Sequence, residues 1–337
     1  MRCFYIDVLR FIGLAMIVLA HVNPPDIIFQ IRNFDVPLMV VVAGMSFFLS
    51  YQKSSSYSDY LVKRVARLVL PVWLFLCGYF LSLWLLMPSS EELNLRTIAT
   101  SFLLIDGIGY VWIIKVFLLV ALVAPIMYEF SIKTVSDQRF FLVVGLGMLG
   151  YEVVRFISMP FMDNALVAIV SQVTHYLVPY SLLFAVGLRL GVLSRPSKLY
   201  LLMASGGVCL LFAILLYLRK GEWISTQEMK YPPSLYYTSY ALFITMILFV
   251  VKDKLQTVVV LLKLDRFVSF CAKNSIWIYL WHIPMIKFYQ DEFLAKYILV
   301  FSCSILLAYC QVSLVNLAVS QMQSESARRR LKSLLTG

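Results

Sequence analysis

All three histidines of this chain, His21, His175 and His282, fall in apolar stretches. An imidazole titrates near pH 6.5, so one placed beside a reacting hydroxyl can take up and return its proton at neutral pH. Arg10 stands eleven residues before His21. Along a helix that separation is roughly 16 Å and brings the two side chains to nearly the same face. Asp7 lies three residues before Arg10, which allows a plain intrahelical pair, and the arginine stem can also reach the headgroups. A second basic group, Arg64 and Arg67 within Lys63-Arg64-Val65-Ala66-Arg67, projects from one helix face by its i, i+3 spacing. Two guanidinium groups so placed can hold phosphate oxygens in bidentate fashion, although the same run also serves as an ordinary basic flank to a membrane span. These residue types point to proton transfer at the histidines and anion binding at the arginines.

The elements that carry them are set by composition. Of 337 residues, 61% are AVILMFWYC and 14% are charged, against about 45–50% and about 25% in soluble domains. A water-soluble fold is excluded. Apolar runs broken by Pro, Gly and charged residues predict helices near 4–23, 34–51, 67–87, 110–130, 139–158, 174–193, 199–218, 235–251, 272–289 and 295–318. The expectation is an all-α polytopic membrane domain of about ten spans over residues 1–320, with a basic tail over 321–337. The early apolar run has no small-residue cleavage pattern after it and reads as a retained first span.

The net charge of +11 is mostly topological. Of the 29 Lys and Arg, 19 fall on the side that holds Arg2, the 52–67, 131–139, 189–198 and 252–273 segments and the C-terminal tail. Seven fall on the other side, and Arg10, Lys115 and Arg155 lie within predicted spans. The positive-inside rule places both termini in the cytoplasm, and the surplus then favours anionic lipid headgroups over nucleic acid. The six cysteines lie singly with no C-x-x-C or Cys/His cluster, and no H-E-x-x-H, G-x-S-x-G or Gly-rich phosphate loop occurs. Neither a metal site nor a disulfide framework is expected.

Ionisable groups inside the bilayer cost about 2.5–3.5 kcal/mol each on insertion scales, so every one is a candidate site. Glu152 and Arg155, at i, i+3, form either a structural pair or part of a site. Lys115 and His175 lie close to predicted span boundaries and suit interfacial anchoring. His282, flanked by Tyr279, Trp281 and Pro284, is either a site residue or a member of an aromatic belt.

Four segments together resemble the acyltransferase 3 family of integral-membrane acyltransferases. They are Ile6-Asp7-Val8-Leu9-Arg10 through Ala20-His21; Asp35-Val36-Pro37-Leu38 through Ala43-Gly44, with Ala43 where Ser is usual; Arg64-Val65-Ala66-Arg67 before Leu70-Pro71; and Asn274-Ser275 with Tyr279-Leu280-Trp281-His282-Ile283-Pro284. The resemblance runs from residue 5 to about 285 and matches the short form of the family, without an added periplasmic domain. It implies a bacterial cytoplasmic-membrane enzyme that moves an acyl group, most often acetyl from acetyl-CoA, to a hydroxyl of a surface polysaccharide or lipid-linked glycan.

On that implication Arg10, Arg64 and Arg67 bind the CoA phosphates, and the pantetheine arm extends toward His21 as general base. Asp35, or alternatively Glu152, orients His21, and His282, Lys115 or a tyrosine donates to the oxyanion. The Tyr231-Pro232-Pro233-Ser234-Leu235-Tyr236-Tyr237 segment offers either a stacking surface for a sugar or an interfacial start to the eighth span. Two rival readings are the other histidine-dependent family of membrane O-acyltransferases and a transporter of lipid-linked glycans. Against the transporter, the chain has no internal symmetry of broken helices.

Overall fold

The computed structural model describes residues 3–51, 56–105, 107–289 and 292–336. Arg2 and Lys53, used in the charge count, lie outside them. Helix takes up 82% of the chain, and no strand occurs among the described residues. The α-helices in order are α1 (Phe4–Ala20), α2 (Asp26–Ile31), α3 (Asp35–Ser50), α4 (Tyr57–Leu86), α5 (Leu95–Phe102), α6 (Trp112–Lys133), α7 (Asp137–Ser158) and α8 (Ala165–Leu190), followed by α9 (Arg195–Lys220), α10 (Leu235–Val250), α11 (Lys252–Leu261), α12 (Asp265–Lys273), α13 (Ser275–Phe288), α14 (Phe293–Ser320) and α15 (Glu325–Leu335). Seven are long and apolar enough to cross a bilayer, counting Asp26–Ser50 as one. Three further predicted spans appear as α1, α10 and α13, of 17, 16 and 14 residues. These are shorter than the ~20 residues of a typical full crossing, so among the described residues seven helices are full-length candidates.

Helix starts follow caps rather than hydropathy. Ser56 Oγ accepts from Asp59 N at 3.2 Å, so α4 begins ten residues before the predicted 67. Asn164 Oδ1 accepts from Leu166 N at 3.0 Å and starts α8 nine residues before the predicted 174. An unmet helix N-terminal N–H takes a side-chain oxygen wherever one is offered, whether or not the next turn lies in hydrocarbon. The ninth predicted span is broken at Asn274, where Nδ2 donates to the Phe270 carbonyl at 2.8 Å and the chain restarts as α13. The C-terminal tail is helical as α15.

Two compact units make up the chain. The first comprises residues 1–16, 26–53 and 119–263. At its centre α3 lies against α8 with backbone in contact. A Cβ at Gly44 would come within 3.0 Å of the Phe184 carbonyl oxygen, and one at Gly187 within 3.0 Å of the Val41 carbonyl oxygen. Small residues at a membrane helix pair allow this approach. The second unit comprises residues 17–25, 54–118 and 264–337, in which α13 packs on α14 and α4, and α15 packs on α14 and α4.

Gly187→Ala is expected to destabilise the protein by about 1–3 kcal/mol through overpacking against backbone that cannot move aside. Gly145→Ala, whose new methyl meets nothing within 4 Å, should leave stability unchanged or slightly raised. Thermal unfolding of both variants in detergent checks the contrast.

Candidate active site

The second unit brings two of the histidines together. His21 directly follows α1, its N–H bonded to the Val18 carbonyl at 3.0 Å. Two residues on, Asn23 takes a left-handed φ of 54°, which asparagine tolerates better than most side chains. His282 lies within α13 and has no exposed surface. That helix is held by its tryptophans: Trp281 Nε1 donates to Gln311 Oε1 of α14 at 2.7 Å, and Trp277 Nε1 donates to the Leu334 carbonyl of α15 at 3.2 Å. His21 Nδ1 and His282 Nε2 are 2.8 Å apart, with the rings stacked at 5.0 Å between centroids. Tyr110 stands edge-on to both, at 4.9 Å from His21 and 5.9 Å from His282, and its carbonyl accepts the Tyr279 hydroxyl.

The bonding pattern assigns the tautomers. His282 Nδ1 is bonded to the Tyr279 carbonyl oxygen one turn back. A carbonyl only accepts, so Nδ1 of His282 carries the proton. A neutral His282 then offers Nε2 as an acceptor, and the 2.8 Å bond places the proton of His21 on Nδ1. Nε2 of neutral His21 is left as the basic nitrogen.

In the same unit Tyr79 donates to Glu92 Oε2 at 2.7 Å and accepts from Lys287 Nζ at 2.6 Å, and Lys287 also pairs with Glu92. Sequence reasoning singled out neither this trio nor Tyr110, because their partners are distant in the chain and share no spacing. Arg64 and Arg67 lie on α4, the first with its guanidinium 5.5 Å from the Tyr60 ring centroid and the second exposed. They sit on the second and third turns of the helix, not ahead of it.

Arg10 belongs to the first unit. Its Nη2 donates to Ser46 Oγ of α3 at 2.6 Å, and Nη1 is 3.8 Å from Asp7. The intrahelical pair with Asp7 is therefore present, and Ser46 is an addition that no spacing announced. Asp35 is also in the first unit, in a buried cluster: Oδ2 accepts from Arg32 at 2.8 Å and Oδ1 from Lys230 at 3.3 Å. Arg32, Asp35 and Lys230 are each 2% exposed. Burial lowers the Lys230 pKa from its ordinary value, Asp35 opposes that shift, and Arg32 adds to it. The described contacts thus join His21 to His282, and Asp35 to Arg32 and Lys230.

The remaining candidates have structural partners. Glu152 and Arg155 pair at 2.5 Å, and Glu152 Oε2 also accepts from Leu235 N at 2.7 Å, which ties α7 to the start of α10. His175 is buried ten residues inside α8, at 2.8 Å from Ser158 Oγ, rather than at a helix end. Lys115 lies in the first turn of α6, half-buried.

A family model described as an acyltransferase domain, that of acyltransferase 3, matches residues 4–317. The chain belongs to the acyltransferase 3 family. Comparison with curated proteins and with solved structures gave no match. Membership of acyltransferase 3 makes this a membrane acyltransferase rather than a transporter or a member of the other histidine-dependent family. The matched span takes in Arg10, His21, Asp35, Arg64, Arg67 and His282, and it stops ahead of α15.

Two buried cations around one carboxylate make Asp35 structurally critical. Asp35→Ala should cost about 3–5 kcal/mol, the scale of an uncompensated buried charge. Adding Lys230→Met should return part of it. A double-mutant cycle on thermal stability checks this, and additive losses would argue against the pairing.

Proposed function

We propose that this acyltransferase 3 chain moves an acyl group, acetyl in the first instance, from acyl-CoA to a hydroxyl of a bacterial surface polysaccharide or lipid-linked glycan. It does so in the cytoplasmic membrane, with both termini in the cytoplasm. The observation that carries the reading is the His21–His282 bond, anchored on the Tyr279 carbonyl, within a chain of this family. His21 is the general base: Nε2 takes the acceptor hydroxyl proton as that oxygen attacks the thioester carbonyl. The tetrahedral intermediate collapses with loss of the CoA thiolate, which takes the proton back from Nε2. His282 is a positioning residue. Its Nε2 holds the His21 ring through Nδ1–H, and this bond strengthens when His21 becomes imidazolium.

The arginines suit the donor. Arg64 and Arg67 on one face of α4 offer two forks to phosphate. The acceptor hydroxyl would meet the histidines near Tyr110, an aromatic surface of the kind on which a sugar face packs.

His21→Ala should lower kcat by about 10²–10⁴ with the protein still inserted and folded, read by acetyl transfer to isolated glycan from labelled acetyl-CoA. Activity near the native level would remove His21 from the mechanism. His282→Ala should lower kcat with little change in KM and alter the pH profile. His282→Gln, able to accept at a similar position, should recover part of the rate. Arg64→Ala with Arg67→Ala should raise KM for acetyl-CoA at least tenfold, and an unchanged KM would return both arginines to the role of a basic flank.

A further inference from the structure

The first unit also contains a cleft, apart from the buried charge clusters described above. α7 packs on α8 and α9 packs on α10, and between the two pairs lie adjoining cavities of about 620 and 270 Å³. They share Phe141, Gly145, Leu149 and Tyr200, and so form one groove. From Asp137 to Leu149 the groove follows α7 for twelve helical steps. That is roughly 18 Å of helix, more than half of a ~30 Å hydrocarbon core. Its floor polar groups, Ser205, Thr238 and Ser239, all donate to carbonyls of their own helices. They leave an inner lining that suits a hydrocarbon chain, while Asp137, Gln138, Ser197 and Tyr200 line the end where α7 and α9 begin.

Charge sets the orientation of the occupant. At that end Asp137 is paired with Arg189 at 3.0 Å and accepts from the Ser197 hydroxyl at 2.6 Å. Arg139 follows the lining residue Gln138, Arg195 precedes the lining residue Pro196, and both arginines are exposed. The Lys/Arg bias assigns this end to the cytoplasmic side, where anionic headgroups concentrate. We propose that the groove binds an anionic phospholipid, with an acyl chain along α7 and the headgroup at Arg139 and Arg195. The site stands independently of the transfer reaction.

The test is native mass spectrometry of the full chain purified with an equal mixture of phosphatidylglycerol and phosphatidylcholine. Retention of phosphatidylglycerol is expected to exceed that of phosphatidylcholine by about thirtyfold, the scale of two basic side chains near an anionic headgroup. Arg139→Gln with Arg195→Gln should erase the preference while either lipid is still retained. Gly145→Leu and Gly145→Phe fill the groove from a position where a Cβ meets nothing within 4 Å, so both should fold, with an unchanged melting temperature, and lose retention of both lipids. Equal retention of the two lipids by the native protein overturns the proposal. So does full retention by both Gly145 variants, or recovery of a polyprenyl-linked glycan in place of phospholipid.

Discussion

A carbonyl oxygen accepts hydrogen bonds and cannot donate them, and at Tyr279 that constraint governs the proton positions of the histidine pair. The Tyr279 carbonyl fixes the proton of His282 on Nδ1; His282 Nε2 then fixes the proton of His21 on Nδ1; and basicity is left on His21 Nε2. Such a relay works only if α13 cannot rotate. Trp281 on Gln311, Trp277 on the Leu334 carbonyl, and Phe75 edge-on to Trp281 at 6.1 Å hold it. The break at Asn274 gives α13 its own start, so its rotation need not follow that of α12.

Buried charge elsewhere fastens segments. Asp35 with Arg32 and Lys230 holds the 221–234 segment to the start of α3, helped by Asn33 on Thr226 at 3.0 Å. Glu152 takes the first N–H of α10 while paired with Arg155. Arg189 meets Asp137 and three carbonyls at the end of α6 and the turn that follows. Each arrangement satisfies groups taken out of water, and removing one partner would strand the other. A buried ionisable residue in such a chain is therefore read from its partners. Glu152, open to both readings in sequence, ties α7 to α10 by its contacts. Lys230, unremarkable in sequence, is buried because Asp35 receives it.

Composition and periodicity made the membrane class, the helical fold and the approximate place of every long helix legible. Hydrocarbon imposes a length and an apolarity that can be counted residue by residue. Helix ends were less legible, because Ser56 and Asn164 cap backbone groups regardless of the hydropathy that follows. In the site, the Arg64/Arg67 spacing could be read along one helix, since an i, i+3 relation is set by helical geometry alone.

The pairing of His21 with His282 joins residues 261 apart in the chain, and that of Asp35 with Lys230 joins residues 195 apart. No local rule connects such positions. They meet because α13 and α3 pack where their neighbours leave room, and the α3 contact itself depends on Gly44 and Gly187 lacking a Cβ. The sequence by itself thus determined which residues can carry a proton or hold a phosphate, because ionisable side chains in an apolar chain are few. Only the tertiary structure decided which of them face each other, because hydrogen-bond partners are selected by packing over distances that spacing does not encode.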